Sequence, residues 1–185
     1  MNAVAQGKID AVQAGAESWS AEDVVRWSLA EFHPHAAIAS SFGAEDVALI
    51  DIAVRVRPDV RVFTLDTDFL FAETYELIGK IEQKYGIRVE RVKSQLTPEE
   101  QAAKFAPKLW TIDPNQCCSL RKVEPLKAKL AGLSAWVTGI RRDQAATRAN
   151  AKKIEWDASF GLVKCNPLAD WTWDRVWEYI RERDV

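Results

Sequence analysis

Histidine is nearly absent from this 185-residue chain: there are two, His33 and His35, both ahead of the first predicted strand. That excludes a Ser-His-Asp arrangement and a histidine-built metal site, each of which needs imidazoles delivered from elsewhere in a fold. Cysteine is scarce too. Three cysteines, two of them adjacent, make no disulfide framework. An excess of charge is missing: 25 Lys and Arg stand against 27 Asp and Glu. The chain as a whole therefore has no general attraction to nucleic acid or to an acidic membrane. Long apolar runs are missing at the start, where Lys8, Asp10 and Glu17 interrupt small and polar residues. That stretch matches neither a secretory signal nor a membrane span, and a cytoplasmic home is expected.

What is present reads as a packed globular protein, with 48% apolar residues and eight tryptophans. No internal repeat, low-complexity tract or linker is visible. Residues 1–18 read as a frayed segment and residues 19–185 as a single domain. Ser20 and Asp23 form a capping box for a helix carrying Val25, Leu29 and Phe32. Ala36 to Ala39 reads as a buried strand, followed by an apolar helix from about Glu45 to Val56. Strands are then expected at 61–65, 87–92 and 135–138, alternating with helices near 70–85 and from Thr97-Pro98. A last helix is capped by Thr172. Apolar strands alternating with helices imply an α/β fold with a mostly parallel sheet and helices on both faces.

Such sheets bind ligands at the carboxyl ends of their strands, which makes three loops candidates. Ser40-Ser41-Phe42-Gly43 hands a strand to a helix whose free amides suit an anion, although it is neither a Walker loop nor a Gly-rich dinucleotide turn. Taken alone, an ordinary capped turn explains it better. Leu65-Asp66-Thr67-Asp68 ends the next strand. Gly139 precedes Arg141 and Arg142, with Arg148, Lys152 and Lys153 close behind, a set suited to a doubly charged anion. The fourth candidate is Cys117-Cys118 followed by Arg121 and Lys122. Adjacent cysteines serve a single zinc poorly but can ligate different irons of a cluster. Asp113 and Pro114 open a helical turn under them, which Pro125 should break or kink. Cys165 reads as core, as do most of the tryptophans.

Together the segments Ser-Ser-Phe-Gly-Ala-Glu-Asp, Leu-Asp-Thr, Cys-Cys-Ser-Leu-Arg-Lys-Val-Glu-Pro-Leu, Thr-Gly-Ile-Arg-Arg-Asp-Gln and Asn-Pro-Leu-Ala-Asp-Trp-Thr-Trp resemble the assimilatory adenylyl-sulfate reductases. These are the cluster-bearing branch of the phosphoadenylyl-sulfate reductase family. The resemblance runs from about Ala36 to the end and departs at Asp68 and Ala72, where the family has glycine and proline. It implies an adenine nucleotide α-hydrolase-like fold and thioredoxin-dependent reduction of adenosine 5′-phosphosulfate to sulfite and AMP, and it leaves room for a homo-oligomer. By resemblance, Ser40, Ser41, Phe42 and Gly43 enclose the nucleotide, and Leu65 and Gly139 offer it backbone contacts. Lys122, Arg141, Arg142 and Arg148 face phosphate and sulfate. Cys117 and Cys118 hold half of a [4Fe-4S] cluster near Thr67.

The chain stops soon after its last predicted helix and reads as truncated. The family's second cysteine pair and nucleophilic Cys-Gly-Leu-His tail would lie beyond residue 185. The expectation is a chain inactive alone, its cluster absent or incomplete. The rival readings are a 3′-phosphoadenylyl-sulfate reductase, an ATP-splitting adenylyltransferase or ligase of the same fold, and a non-enzymatic binding module.

Overall fold

The computed structural model describes residues 3–185. Its first element corrects the expectation of a frayed segment through residue 18: Ala3–Ala16 is a helix, α1. Ile9 and Ala16 are buried, and Gln13 Nε2 donates to the Ile154 carbonyl at 3.4 Å. The apolar stripe of α1 is narrow and built partly of alanines, so its packing surface is easily overlooked. Helix α2 (Ala21–Phe32) starts at the Ser20 capping box, as its sequence predicts. Next come β1 (Ala36–Ala39), α3 (Ala44–Val56), β2 (Val62–Asp66), α4 (Ala72–Tyr85), β3 (Val89–Lys93) and α5 (Pro98–Lys104). Two short helices, α6 (Leu109–Ile112) and α7 (Pro114–Cys118), lead into a π-helical turn at Ser119–Val123 and then α8 (Glu124–Leu130). The chain closes with β4 (Ala135–Thr138), β5 (Ile154–Asp157), β6 (Leu162–Cys165) and α9 (Trp173–Arg183).

The strands form one sheet in the order β3-β2-β1-β4-β6-β5, parallel except for β5, which runs antiparallel to β6. The β5–β6 hairpin is unforeseen: each strand has four residues, and the turn between them contains Gly161 at φ 73°. On one face of the sheet, α3 buries Leu49, Ile50 and Ile52, each worth about 1.5–3 kcal/mol relative to exposure. The other face is covered more thinly, with Phe63, Leu130, Trp136 and Leu162 packed together. After β1 the chain moves towards β2 and β3; after β4 it moves the opposite way. This reversal between β1 and β4 opens a crevice outside their carboxyl ends. Among the described residues, no helix is long and apolar enough to cross a membrane.

Candidate functional site

A cavity of about 750 Å³ occupies that crevice. A larger groove of about 900 Å³ lies elsewhere, between Pro58, Arg61, Glu82 and Arg88 at the opposite end of β2 and β3. Its lining mixes charged side chains with Val60, Val62, Ile87 and Val89 and carries no thiol, so the crevice between β1 and β4 is the site where chemistry converges. One wall is apolar: Ala39, Phe63, Leu65 and Trp136 from the strands, with Leu126 from α8. Another is the helical run after Asp113, with Cys117, Cys118, Arg121 and Lys122. Asp113 caps α7 through Gln116 N at 2.9 Å. Pro125 does not end the helix. It lacks an N–H, and its ring would meet the carbonyl four residues back; the backbone widens into the π turn just before it, a device common at functional sites.

The serine loop is held by one carboxylate. Asp46 Oδ2 accepts from Ser41 N at 2.6 Å and Ser41 Oγ at 2.8 Å, and Gly139 N–H also donates to this side chain. Burial pushes the Asp46 carboxyl above its usual range despite these donors. Ser40, Ser41 and Gly139 line the cavity as expected, and so do Leu65 and Thr67. Phe42 and Gly43 do not. Phe42 adopts the left-handed backbone at φ 61° and turns its ring into the core, while Gly43 caps α3. A bulky side chain at positive φ is strained, and the strain sits beside the cavity.

The cations after β4 separate. Arg148 lines the cavity, but Arg141 and Arg142 do not, contrary to the expectation that both face an anion. Arg141 is buried behind Glu45, donating Nη2 to Glu45 Oε1 at 3.0 Å, with a second carboxylate from Asp143 and the Trp173 ring 5.3 Å away. Burial raises the Glu45 pKa, but hydrogen bonds from its own N–H, Gln144 and Arg141 outweigh this and leave it lowered. Arg142 follows a residue in extended backbone and points to the other face, where Nε donates to the Ala151 carbonyl at 2.8 Å and Nη2 pairs with Glu17, in the turn just after α1.

The cysteines differ in environment. Cys117 is buried, with Gln101 Nε2 3.9 Å from its sulfur; Cys118 is exposed on the cavity wall. Cys165 is buried in β6, and burial pushes its thiol far above the ordinary range. Among the described residues, no third His, Cys, Asp or Glu joins the adjacent pair in a group able to hold a metal. The pair supplies two thiolates, short of the four ligands that a [4Fe-4S] cluster takes. Arg121, named with the cysteine pair but given no role facing the anion, lines the cavity, and residues that sequence reasoning missed include Gln144 and the Phe69–Trp110 pair, whose ring centroids are 5.0 Å apart. Gln144 carried one faint signal: it lies three residues after Arg141, the spacing of a local cap, and its Oε1 accepts from Arg141 N at 3.1 Å.

A mostly parallel sheet with a crevice at its reversal point, apolar on one wall and cationic on another, defines a nucleotide-binding type of α/β protein. The NH3-dependent NAD synthetase of Campylobacter jejuni shares the fold, at TM-score 0.59 and 8% identity over 89% of this chain and 71% of that one. This is the adenine nucleotide α-hydrolase-like fold. Residues 35–185 match the phosphoadenosine phosphosulfate reductase domain, and the chain belongs to that family. It is similar to the adenosine 5′-phosphosulfate reductase of Staphylococcus haemolyticus, 42% identical over 178 residues, covering 96% of this chain and 73% of the relative. The phosphoadenylyl-sulfate reductase of Candida auris, solved as a phosphate complex, aligns at TM-score 0.82 and 29% identity, covering 97% of this chain and 87% of that one.

Proposed function

We propose that this chain binds adenosine 5′-phosphosulfate and belongs to an enzyme that reduces it to sulfite and AMP with electrons from thioredoxin. The observation carrying this reading is the cavity's two-sided lining: an apolar wall fit for a planar base, and a wall of cations beside the cysteine pair, fit for an anion that joins a phosphate to a sulfate. In the reaction, a thiolate attacks the sulfate sulfur and AMP leaves, giving a protein S-sulfocysteine. A thioredoxin thiolate then attacks the cysteine sulfur and sulfite departs; the second thioredoxin thiol resolves the mixed disulfide. Two electrons pass from the dithiol to sulfur, and thioredoxin ends as a disulfide.

This chain's residues bind and orient. Ser40, Ser41, Leu65 and Gly139 hold the nucleotide, and Lys122 and Arg148 offset the charge of phosphate and sulfate. Cys165 is unsuited to attack, being buried with its thiol pushed up. The attacking thiolate is proposed to come from outside these 185 residues. Cys117 and Cys118 would hold a [4Fe-4S] cluster jointly with two thiolates from elsewhere, a group that supplies a redox-capable centre beside the anion site. Free thiols and thioredoxin fit a reducing, cytoplasmic setting.

Calorimetric titration tests the reading. Adenosine 5′-phosphosulfate and AMP should each bind in a 1:1 ratio, and 3′-phosphoadenylyl sulfate more weakly. Tight ATP binding with pyrophosphate release would favour an adenylyltransferase instead.

A further inference from the structure

The three arginines that follow β4 are held by different chemistry. Arg141 pairs with Glu45 and Asp143, and Arg142 with Glu17, so the charge of each is offset where it stands. Arg148 lines the cavity and has no carboxylate partner among the described residues. Its Nη1 donates instead to a neutral group, Oε1 of Gln144. That amide also lines the cavity and is anchored at both of its polar atoms. Oε1 accepts from Arg141 N–H at 3.1 Å, and Nε2 donates to Glu45 Oε1 at 2.7 Å. Only one orientation of the amide satisfies this set, because the Glu45 carboxylate needs a donor and the Arg148 guanidinium an acceptor. Glu45 stands in the first turn of α3, so the amide ties a long, exposed cation to the start of that helix and to the end of β4. A free arginine gives up much rotamer freedom when it meets a ligand, and a tether made beforehand removes part of that cost.

Resting on the function proposed above, we infer that Gln144 is a positioning residue: it holds Arg148 at the cavity for the anionic end of the ligand without offsetting its charge. A carboxylate in its place would fix the guanidinium as well, but would cancel the attraction that an incoming anion meets. The neutral amide separates the two tasks. It places the cation and leaves the charge free.

The test is a double-mutant cycle, read by calorimetric titration of the full chain with adenosine 5′-phosphosulfate: wild type, Gln144→Ala, Arg148→Ala and the two together. Arg148→Ala should weaken binding about tenfold, and Gln144→Ala about threefold. Once Arg148 is gone, Gln144→Ala should cost less than about twofold more, a coupling that general loosening of the loop would not produce. Gln144→Glu, which tethers the guanidinium but cancels its charge, should bind at least as weakly as Gln144→Ala. Thermal unfolding checks that each variant is folded; Gln144→Met, similar in length but without the amide, replaces Gln144→Ala if that variant unfolds. Losses that add in the double variant would mean that Gln144 acts by restraining Glu45 and not through Arg148, and would overturn the inference. Unchanged affinity in either single alanine variant, or wild-type or tighter binding by Gln144→Glu, would overturn it as well, with the proposed function intact. A wild-type chain that binds neither adenosine 5′-phosphosulfate nor AMP would overturn the proposed function, and this inference with it.

Discussion

The two walls of the cavity are built by different means. The apolar wall is set by the sheet: Ala39, Leu65 and Trp136 stand on strands whose ladders fix their spacing, and the Asp46 carboxylate ties the β1 loop to the β4 end. The cationic wall is set by charge pairing. Asp68 ties Arg121 into the wall, whereas Glu45 with Asp143 holds Arg141, and Glu17 holds Arg142, off the cavity. Of the cations near the crevice, Lys122 and Arg148 have no carboxylate partner among the described residues. Shape therefore comes from the sheet, whereas net attraction for an anion rests on two side chains.

The apolar wall should break most severely at Gly139. A Cβ there would run into Asp46 Oδ1 and lie 3.4 Å from the Asp46 backbone nitrogen. Asp46 cannot swing aside without abandoning both Ser41 donors. Gly139→Val should cost about 3 kcal/mol of stability and abolish nucleotide binding, as read by urea denaturation and calorimetry. Unchanged stability with intact binding would mean that the two strand ends are not coupled through Asp46.

The cationic wall should fail at a single residue without loss of fold. Lys122 is exposed and has no carboxylate partner among the described residues, so its removal leaves no orphan among them. Lys122→Ala should weaken adenosine 5′-phosphosulfate by about 2 kcal/mol, the scale of a charge-assisted contact, with the melting temperature unchanged. An equal loss for AMP would put Lys122 on the phosphate. Intact affinity for both ligands would show that attraction does not rest on unpaired charge.

Glu45 should work in the opposite direction. Its carboxylate lines the cavity and offsets Arg141. Glu45→Gln should tighten anion binding by about 1 kcal/mol, because one negative charge leaves a partly screened site. Its pKa lies below the ordinary 4.5, so acid reproduces this gain in wild type only below pH 4.5. Weaker binding by the variant would mean that Glu45 serves the ligand itself.

The same division decides what was legible in the sequence. Strand ends, caps and loop positions follow from local signals: Ser20 with Asp23, Asp113 before Pro114, Thr172 before the last helix, and the apolar run at 135–138. Those signals also place the serine loop, Leu65, Thr67 and Gly139 at one edge. Which arginine meets the cavity is a tertiary matter. Arg141 and Arg142 are adjacent and chemically identical, yet one pairs with Glu45 of α3 and the other with Glu17 in the turn after α1, from residues 96 and 125 positions away in sequence. Arg121 was passed over for Lys122 because nothing local shows that Gln101 and Asp68 will bury its guanidinium. The first helix was missed because its apolar face is narrow, although Ile9, Val12 and Ala16 carry helical spacing.

Arg142 supplies the smallest effect and the sharpest contrast with Lys122. Its guanidinium spans Glu17 and the Ala151 carbonyl, holding α1 against the loop after β4 without touching the cavity. Arg142→Ala should leave adenosine 5′-phosphosulfate affinity unchanged and cost about 0.2–1 kcal/mol of stability, since the pair is partly exposed and screened. The pH dependence follows from Glu17. Burial raises its pKa, but the Lys153 N–H and Arg142 outweigh burial and leave it below 4.5. Stability from a depressed carboxyl is present above the unfolded pKa and lost as pH falls through the folded one. The difference between wild type and Arg142→Ala should therefore hold at pH 7 and close below about pH 4.5 in denaturation curves. A loss of substrate affinity comparable to that of Lys122→Ala would show that Arg142 leaves Glu17 to meet the ligand, and the paired cations would then be a reserve drawn on by binding.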